Sequence, residues 1–382
     1  MKAYEQKPAV LIVKGEERLD EERLILWAGW IKPALQLVAQ AFSRILDKLL
    51  YEALISWHED GSSGEWLHAG LYDKNPRRRG RLGRWSRAPV ALRMRQTYPA
   101  VMPSLRYGTC SWSEKSWVGP FYPPGTKPAD FLRHYATAFD TVEADSTYYG
   151  IPPPDRVRNW AAVTPPGFVL SSKLPRTCFL GEDARDLDPA RVLVHETFAG
   201  ELEAHFASLA GLGDKAGPVV LQCPWFNSGV FGGLGAFLER LDPFLAALPA
   251  GFRYVVEVRN RGWLHAELLA VLRRRRVALA LVEIRAMPHP ADVVERLDVR
   301  TTDFLYVRLI GDRSAVERVT KSFDKVVLDK SESLGRWAHL LRTQASSADG
   351  FVYANNHFAG YGVETIRELR RLVEGPPQET GP

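Results

Sequence analysis

From about residue 105 onward, short apolar runs alternate with longer stretches in which apolar positions recur every three to four residues. The runs at 105–110, 141–146, 168–173, 219–223, 254–259, 277–283, 304–310 and 351–355 have the length and branched or aromatic content of strands. The stretches at 129–139, 155–163, 188–212, 234–248, 266–275, 334–345 and 365–373 carry the spacing of amphipathic helices. Only 284–303, with Pro288 and Pro290, is weakly helical. Strands that are apolar throughout and separated by helices predict a parallel α/β sheet, because such strands are covered on both faces. Eight of them predict closure into a (β/α)8 TIM-like barrel over residues 102–375, followed by a short tail at 376–382. An open doubly wound sheet is the alternative, but no glycine-rich dinucleotide fingerprint follows the first strand.

The first 101 residues follow another pattern. An apolar stripe through Leu37, Val38, Phe42, Ile45, Leu46, Leu49 and Leu50 predicts one amphipathic helix over about 34–57. A basic linker covers about 74–95, from Lys74 through Arg77, Arg78, Arg79 and Arg81 to Arg95. Met102 stands directly before the first strand, so residues 1–101 read as a loosely ordered extension or as the product of an upstream start site.

Charge changes the picture only there. The formal net charge is +5, and residues 1–101 hold 17 Lys+Arg against 12 Asp+Glu, so the predicted barrel is close to neutral. The basic linker is a possible contact for nucleic acid, and the barrel's composition gives no such signal. No run of about 18 apolar residues is present and the N-terminus lacks a signal peptide's layout, which predicts no membrane span and a cytoplasmic protein. Cys110, Cys178 and Cys223 have no metal-ligand spacing and are expected as reduced thiols.

Barrels of this kind build their sites at the C-terminal ends of the strands, which turns the pattern into a residue list. The second strand runs Thr141-Val142-Glu143-Ala144-Asp145-Ser146-Thr147 and then Tyr148-Tyr149; alternation puts Glu143, Asp145 and Thr147 on one face. Two carboxylates on one buried face are costly unless cations, donors, metal or water meet them. The other strand ends supply Trp112, Lys173, Gln222, Glu257 with Arg259, Trp263, Glu283, Arg308, and Asn355-Asn356-His357. Each has a bland reading as an ion pair, a cap or packing. Their gathering at nearly every strand end favours a site.

The same residues carry a resemblance. Gly108-Thr109-Cys110-Ser111-Trp112, the Thr141–Tyr149 stretch, the Ser-x-Lys-x-Pro core ending at Pro175, Leu221-Gln222-Cys223-Pro224, Val256-Glu257-Val258-Arg259, Tyr306-Val307-Arg308 and Asn355-Asn356-His357-Phe358-Ala359-Gly360 resemble the domain-of-unknown-function 72 family, the YecE-like proteins. The resemblance covers about 105–373 and implies a TIM barrel with a polar pocket at its mouth. It implies no particular reaction. The chain departs from the family's pattern with Asp145 where Asn is common, Cys110 where Ser or Gly is usual, and Asn260-Arg261-Gly262 in place of a His-Pro-Ser-like turn.

Three functional readings follow. In the first, an enzyme of hydrolase or isomerase type works on a polar, phosphorylated or sugar-like small molecule. Glu143 or Glu257, its pKa lifted by burial, transfers the proton; Lys173, Arg259 and Arg308 hold negative charge; Gln222, Asn355 and Asn356 orient; Trp112 or Trp263 stacks on a ring. No cofactor is required. In the second, Glu143, Asp145, Glu257, Glu283 and His357 hold Mg²⁺ or Mn²⁺ in a phosphoesterase- or nuclease-like site. In the third, the barrel is a non-catalytic module that binds nucleic acid or protein.

Overall fold

The computed structural model describes residues 104–181, 187–345 and 349–375. The helix expected over 34–57, the basic linker over 74–95 and the tail at 376–382 lie outside the described residues.

Eight strands form one parallel sheet: β1 (Leu105–Thr109), β2 (Thr141–Ala144), β3 (Val169–Lys173), β4 (Ala216–Gln222), β5 (Tyr254–Glu257), β6 (Ala278–Ile284), β7 (Phe304–Gly311) and β8 (Asp349–Ala354). The ladder runs β1-β8-β7-β6-β5-β4-β3-β2. Every pairing along it is parallel. Helices lie between the strands: α1 (Phe131–Tyr135), α2 (Pro154–Val163), α3 (Ala199–Leu209), α4 (Leu234–Ala247), α5 (Ala266–Arg275), α6 (Pro290–Val294), α7 (Arg313–Val319), α8 (Ser331–Gln344), the short α9 (Asn356–Ala359) and α10 (Gly362–Glu374). This is the expected barrel.

Period-two alternation sorts the strands into an inside and an outside. Cys110, Val169, Val220, Val255, Ala278, Ala280, Val282, Phe304, Tyr306, Phe351 and Tyr353 form the inner apolar cluster. Their sequence neighbours Val142, Ala144, Leu279, Leu281, Val307 and Val352 belong to the larger cluster that joins sheet to helices. At the N-terminal end of the interior, the Arg253 guanidinium lies 5.5 Å from the Phe304 ring and 4.9 Å from that of Phe351. Higher up, the Tyr353 hydroxyl pairs with Thr141 Oγ1 and Ser171 Oγ, each at 2.7 Å. The interior therefore grades from aromatic to hydroxylic to charged toward the mouth.

The ring closes between β1 and β2 by a side chain. The Tyr135 hydroxyl of α1 accepts from the Thr109 backbone N–H at 2.7 Å and donates to the Thr141 carbonyl at 3.2 Å. A Cβ on Gly108 would stand 2.1 Å from the Thr141 carbonyl oxygen, so the close approach of the two strands needs glycine there.

Two expectations are corrected. The helix predicted over 188–212 begins only at Ala199. Before it, Leu193 takes a left-handed conformation at φ 57° and donates its N–H to Phe179, which breaks the helical path despite the apolar spacing. The second strand stops at Ala144, and Asp145–Tyr149 coil into a 3-10 turn. Thr147 pins that turn, accepting from the Lys173 N–H at 2.7 Å and donating to the Ala144 carbonyl at 2.8 Å.

Candidate functional site

The charged residues at the strand ends form one connected cluster. Arg308 on β7, only 1% exposed, is its centre. Its Nη2 donates to Glu143 Oε1 of β2 at 2.8 Å, and its Nη1 donates to Glu257 of β5 and, at 3.0 Å, to Gln222 Oε1 of β4. The other Glu143 oxygen accepts from the Tyr306 hydroxyl at 2.7 Å. Arg259 closes the far side, with Nε 2.8 Å from Glu257 Oε1. Lys173, at the end of β3, is 4% exposed. Its Nζ contacts Asp145, donates to Gln222 Oε1 at 2.8 Å and lies 3.7 Å from Glu143 Oε1. The Tyr148 ring stands 5.7 Å from that nitrogen.

Depth divides these groups. Glu143 and Glu257 are fully buried. The side chains of Asp145 and Arg259 are about a third exposed, at 32% and 28%, and face the solvent side. Three carboxylates (Glu143, Asp145, Glu257) oppose three cations (Lys173, Arg259, Arg308), so the cluster is neutral as a whole. That balance is what makes burial of so many charges tolerable; a buried charge without its partner costs several kcal/mol, roughly 3–5 when one member is removed.

The electrostatics correct one expectation. Burial alone would raise the Glu257 carboxyl, but Arg308, Arg259 and Lys173 together outweigh it and hold the group down to about 2. Glu257 is a fixed anion and not a poised acid. Burial, reinforced by Glu143, pushes the Tyr306 hydroxyl well above its ordinary range, which keeps it protonated as a donor to Glu143. The Cys110 thiol, buried beside the same carboxylate, is likewise pushed up and stays protonated.

Other expected residues stand apart. Alternation turns Glu283 outward with Leu279 and Leu281; it accepts from Ser333 Oγ at 2.6 Å and Trp337 Nε1 at 2.7 Å, and lies 3.3 Å from His289 Nε2. This group borders a polar cavity of about 480 Å³ with Lys330, Ser331 and Arg336. His357 sits 3.3 Å from Glu317 Oε1, and burial together with Arg313 lowers its pKa. Glu283 and His357 therefore do not join Glu143, Asp145 and Glu257, and among the described residues no three His, Cys, Asp or Glu side chains converge in a metal-binding group. Asn356 caps α10, its Oδ1 accepting from Gly362 N–H at 2.9 Å. Trp263 is buried, stacked 4.4 Å from the Phe237 ring and 5.9 Å from that of Phe226. Trp112 packs edge-on against Trp160 at 5.3 Å. Trp263 is thus no free platform, while Trp112 is only partly buried.

Asn355 remains at the mouth with a fixed orientation. Its Oδ1 accepts the His357 backbone N–H at 2.9 Å and lies 2.9 Å from His357 Nδ1. The backbone donor settles which end of the amide is oxygen. The sequence reading missed Tyr306, whose phenol is read as core until its partner is seen. It also left Trp225 and Tyr149 out of the site; they are 65% and 73% exposed.

A closed parallel barrel with a buried, charge-balanced polar cluster at the C-terminal ends of its strands defines the class of protein. Within that class the chain belongs to the family described as "Protein of unknown function DUF72", whose pattern matches residues 106–381. It is similar to the UPF0759 protein YecE of Escherichia coli strain K12, with 29% identity over 154 residues, 40% of this chain and 47% of that protein. The chain thus spans about half the length of this curated relative. Among solved structures it resembles a DUF72 family protein of Thermotoga maritima (TM-score 0.52, 20% identity, 71% of this chain and 99% of that one). It also resembles one of Enterococcus faecalis (TM-score 0.50, 17% identity, 72% and 99%). At these identities the likeness concerns the fold.

Proposed function

We propose that the barrel is an enzyme that moves protons on a small polar molecule bound at its mouth. The observation that carries this reading is the position of Lys173 Nζ, buried between Glu143 below and Asp145 above with Gln222 as its third partner. The Tyr306 hydroxyl donates to Glu143, and Lys173 Nζ, 3.7 Å from Glu143 and in contact with Asp145, stands between the buried carboxylate and the most exposed one. In this reading Lys173 is the acid and Asp145 the base that meets the substrate. Glu143 is the buried member that restores the proton balance. Glu257 does not transfer protons; it fixes Arg259 and Arg308 so that Arg259 can hold a developing negative charge. Replacing such a cluster by packed apolar residues is often neutral or stabilising in other proteins, so its presence at the strand ends supports chemistry over stability.

The test is a metabolite thermal-shift screen on the full chain, followed by turnover assays of each stabilising compound. Lys173→Met and Glu143→Gln are expected to lower turnover by about two to four orders of magnitude, the range of general acid–base contributions. Full turnover in both variants would sink the assignment.

A further inference from the structure

Arg176 stands outside the charge balance of the cluster. It follows Lys173 on the loop after β3 and opens the 3-10 turn Arg176–Cys178. Its backbone is fixed: the carbonyl accepts from Phe179 at 3.2 Å and from Leu180 at 2.7 Å, and Leu174, Cys178, Phe179 and Leu180 around it are buried. Its side chain is partly buried, and its Nε is buried without an acceptor. Among the described residues no carboxylate lies within ion-pair distance of its guanidinium. The three cations of the cluster each have one: Lys173 has Asp145, Arg259 has Glu257, and Arg308 has Glu143 and Glu257. A partly buried guanidinium without a partner costs stability, and a bound anion offsets that cost.

Tyr148 ties Arg176 to the mouth. It belongs to the turn that Thr147 pins to β3, and its ring lies 5.7 Å from Lys173 Nζ. Burial pushes its hydroxyl up, while the Arg259 and Arg176 charges act in the opposite direction. Two guanidiniums, one after β3 and one after β5, thus bear on a single phenol. β4 lies between those strands, and residues 223–233 after it include no charged side chain, so the intervening loop brings no carboxylate to either arginine. Arg259 turns Nε and Nη2 to Glu257 Oε1, at 2.8 and 2.6 Å, and its Nη1 has no partner among the described residues.

We infer that the mouth binds a phosphate monoester, its phosphate group held between Arg176 and Arg259 and accepting from the Tyr148 hydroxyl. The arrangement of donors selects this class. One guanidinium fork suffices for a planar carboxylate, whereas donors arriving from the ends of β2, β3 and β5 suit the three terminal oxygens of a tetrahedral group. A neutral ligand would leave Arg176 unpaired. The inference rests on the proposed mouth site and names its substrate class: the phosphate anchors the molecule while its remainder meets Lys173 and Asp145.

The experiment is isothermal titration calorimetry on the full chain. The probes are inorganic phosphate, glycerol 3-phosphate and ribose 5-phosphate, with glycerol, ribose and glycerate as neutral and carboxylate counterparts. At least one monoester is expected to bind one to one, about tenfold or more tighter than its neutral counterpart and than glycerate. Its affinity is expected to fall about tenfold or more in Arg176→Gln and about threefold in Tyr148→Phe. Arg176 has no carboxylate to strand, so both variants should match the parent by circular dichroism and melting temperature. No binding by either monoester, or binding of glycerate as tight as theirs, overturns the inference. Affinity unchanged in Arg176→Gln also overturns it, because the anion then sits on another basic segment. The proton-transfer reading is judged separately, by turnover in Lys173→Met; full turnover there with monoester binding intact sinks that reading alone.

Discussion

At the scale of single residues, the cluster sets Glu257 and Glu143 different tasks although both are buried carboxylates. Glu257 touches two guanidinium groups, so its neutral replacement strands charge. Glu257→Gln is expected to destabilise the barrel by about 3–5 kcal/mol, measured by chemical denaturation, because Arg308 keeps only part of its pairing. Tyr306→Phe removes one hydrogen bond from Glu143 and leaves the ion pairs intact, so a loss of about 1–3 kcal/mol is expected in the same assay. Equal losses in the two variants would contradict the division. The location of both glutamates was legible in the sequence, because two-residue spacing within a strand fixes the face. The protonation of Glu257 was not, since it depends on cations contributed by β3, β5 and β7.

At the scale of elements, the same alternation rule decides what was read correctly and what was not. Glu143, Lys173, Glu257 and Arg308 lie inward as their strand parity requires. Glu283 shares parity with Leu279 and Leu281, so its outward direction was already implied by its own strand. Grouping it with the mouth carboxylates ignored that. The segment 188–198 failed for a different reason: an apolar spacing was read as helix where a left-handed Leu193 redirects the chain, and no side-chain pattern signals that. Asn355 and Asn356 look interchangeable in sequence, yet each caps a different helix: Asn355 accepts from the His357 N–H in α9 and Asn356 from the Gly362 N–H of α10. Asn355→Ala and Asn356→Ala are each expected to cost about 1 kcal/mol of stability, and only Asn355→Ala, at the end of β8, is expected to lower ligand affinity; titration beside thermal melting checks this.

At the scale of the whole molecule, acid acts in two windows. His205 on α3 is fully buried and burial lowers its pKa to about 4, so it is neutral in the fold and charges on unfolding. A depressed pKa contributes stability that is complete above the unfolded value near 6.5 and is lost as pH falls toward 4, roughly 3 kcal/mol for this shift. Glu257, depressed to about 2, contributes stability that is complete above its ordinary range near 4.5 and is lost below it. Melting temperature against pH should therefore fall first between about 6.5 and 4, and this first fall should be much reduced in His205→Leu. An unchanged curve in that variant would refute the assignment.

The Tyr135 hydroxyl between β1 and β2 has a further consequence. Elsewhere the ring is joined by ladders of several backbone hydrogen bonds, but here one phenol from a neighbouring helix links two strand edges. The barrel therefore has a zip line, and α1 carries the slider. Opening along it releases β1 from β2 without breaking any other strand pair, so amide protons of β1 and β2 that face the join should exchange with deuterium sooner than those of β6 and β7. Tyr135→Phe, which leaves the Thr109 N–H without its acceptor, should accelerate that exchange by about tenfold or more, equivalent to the roughly 1–3 kcal/mol cost of an unsatisfied buried donor.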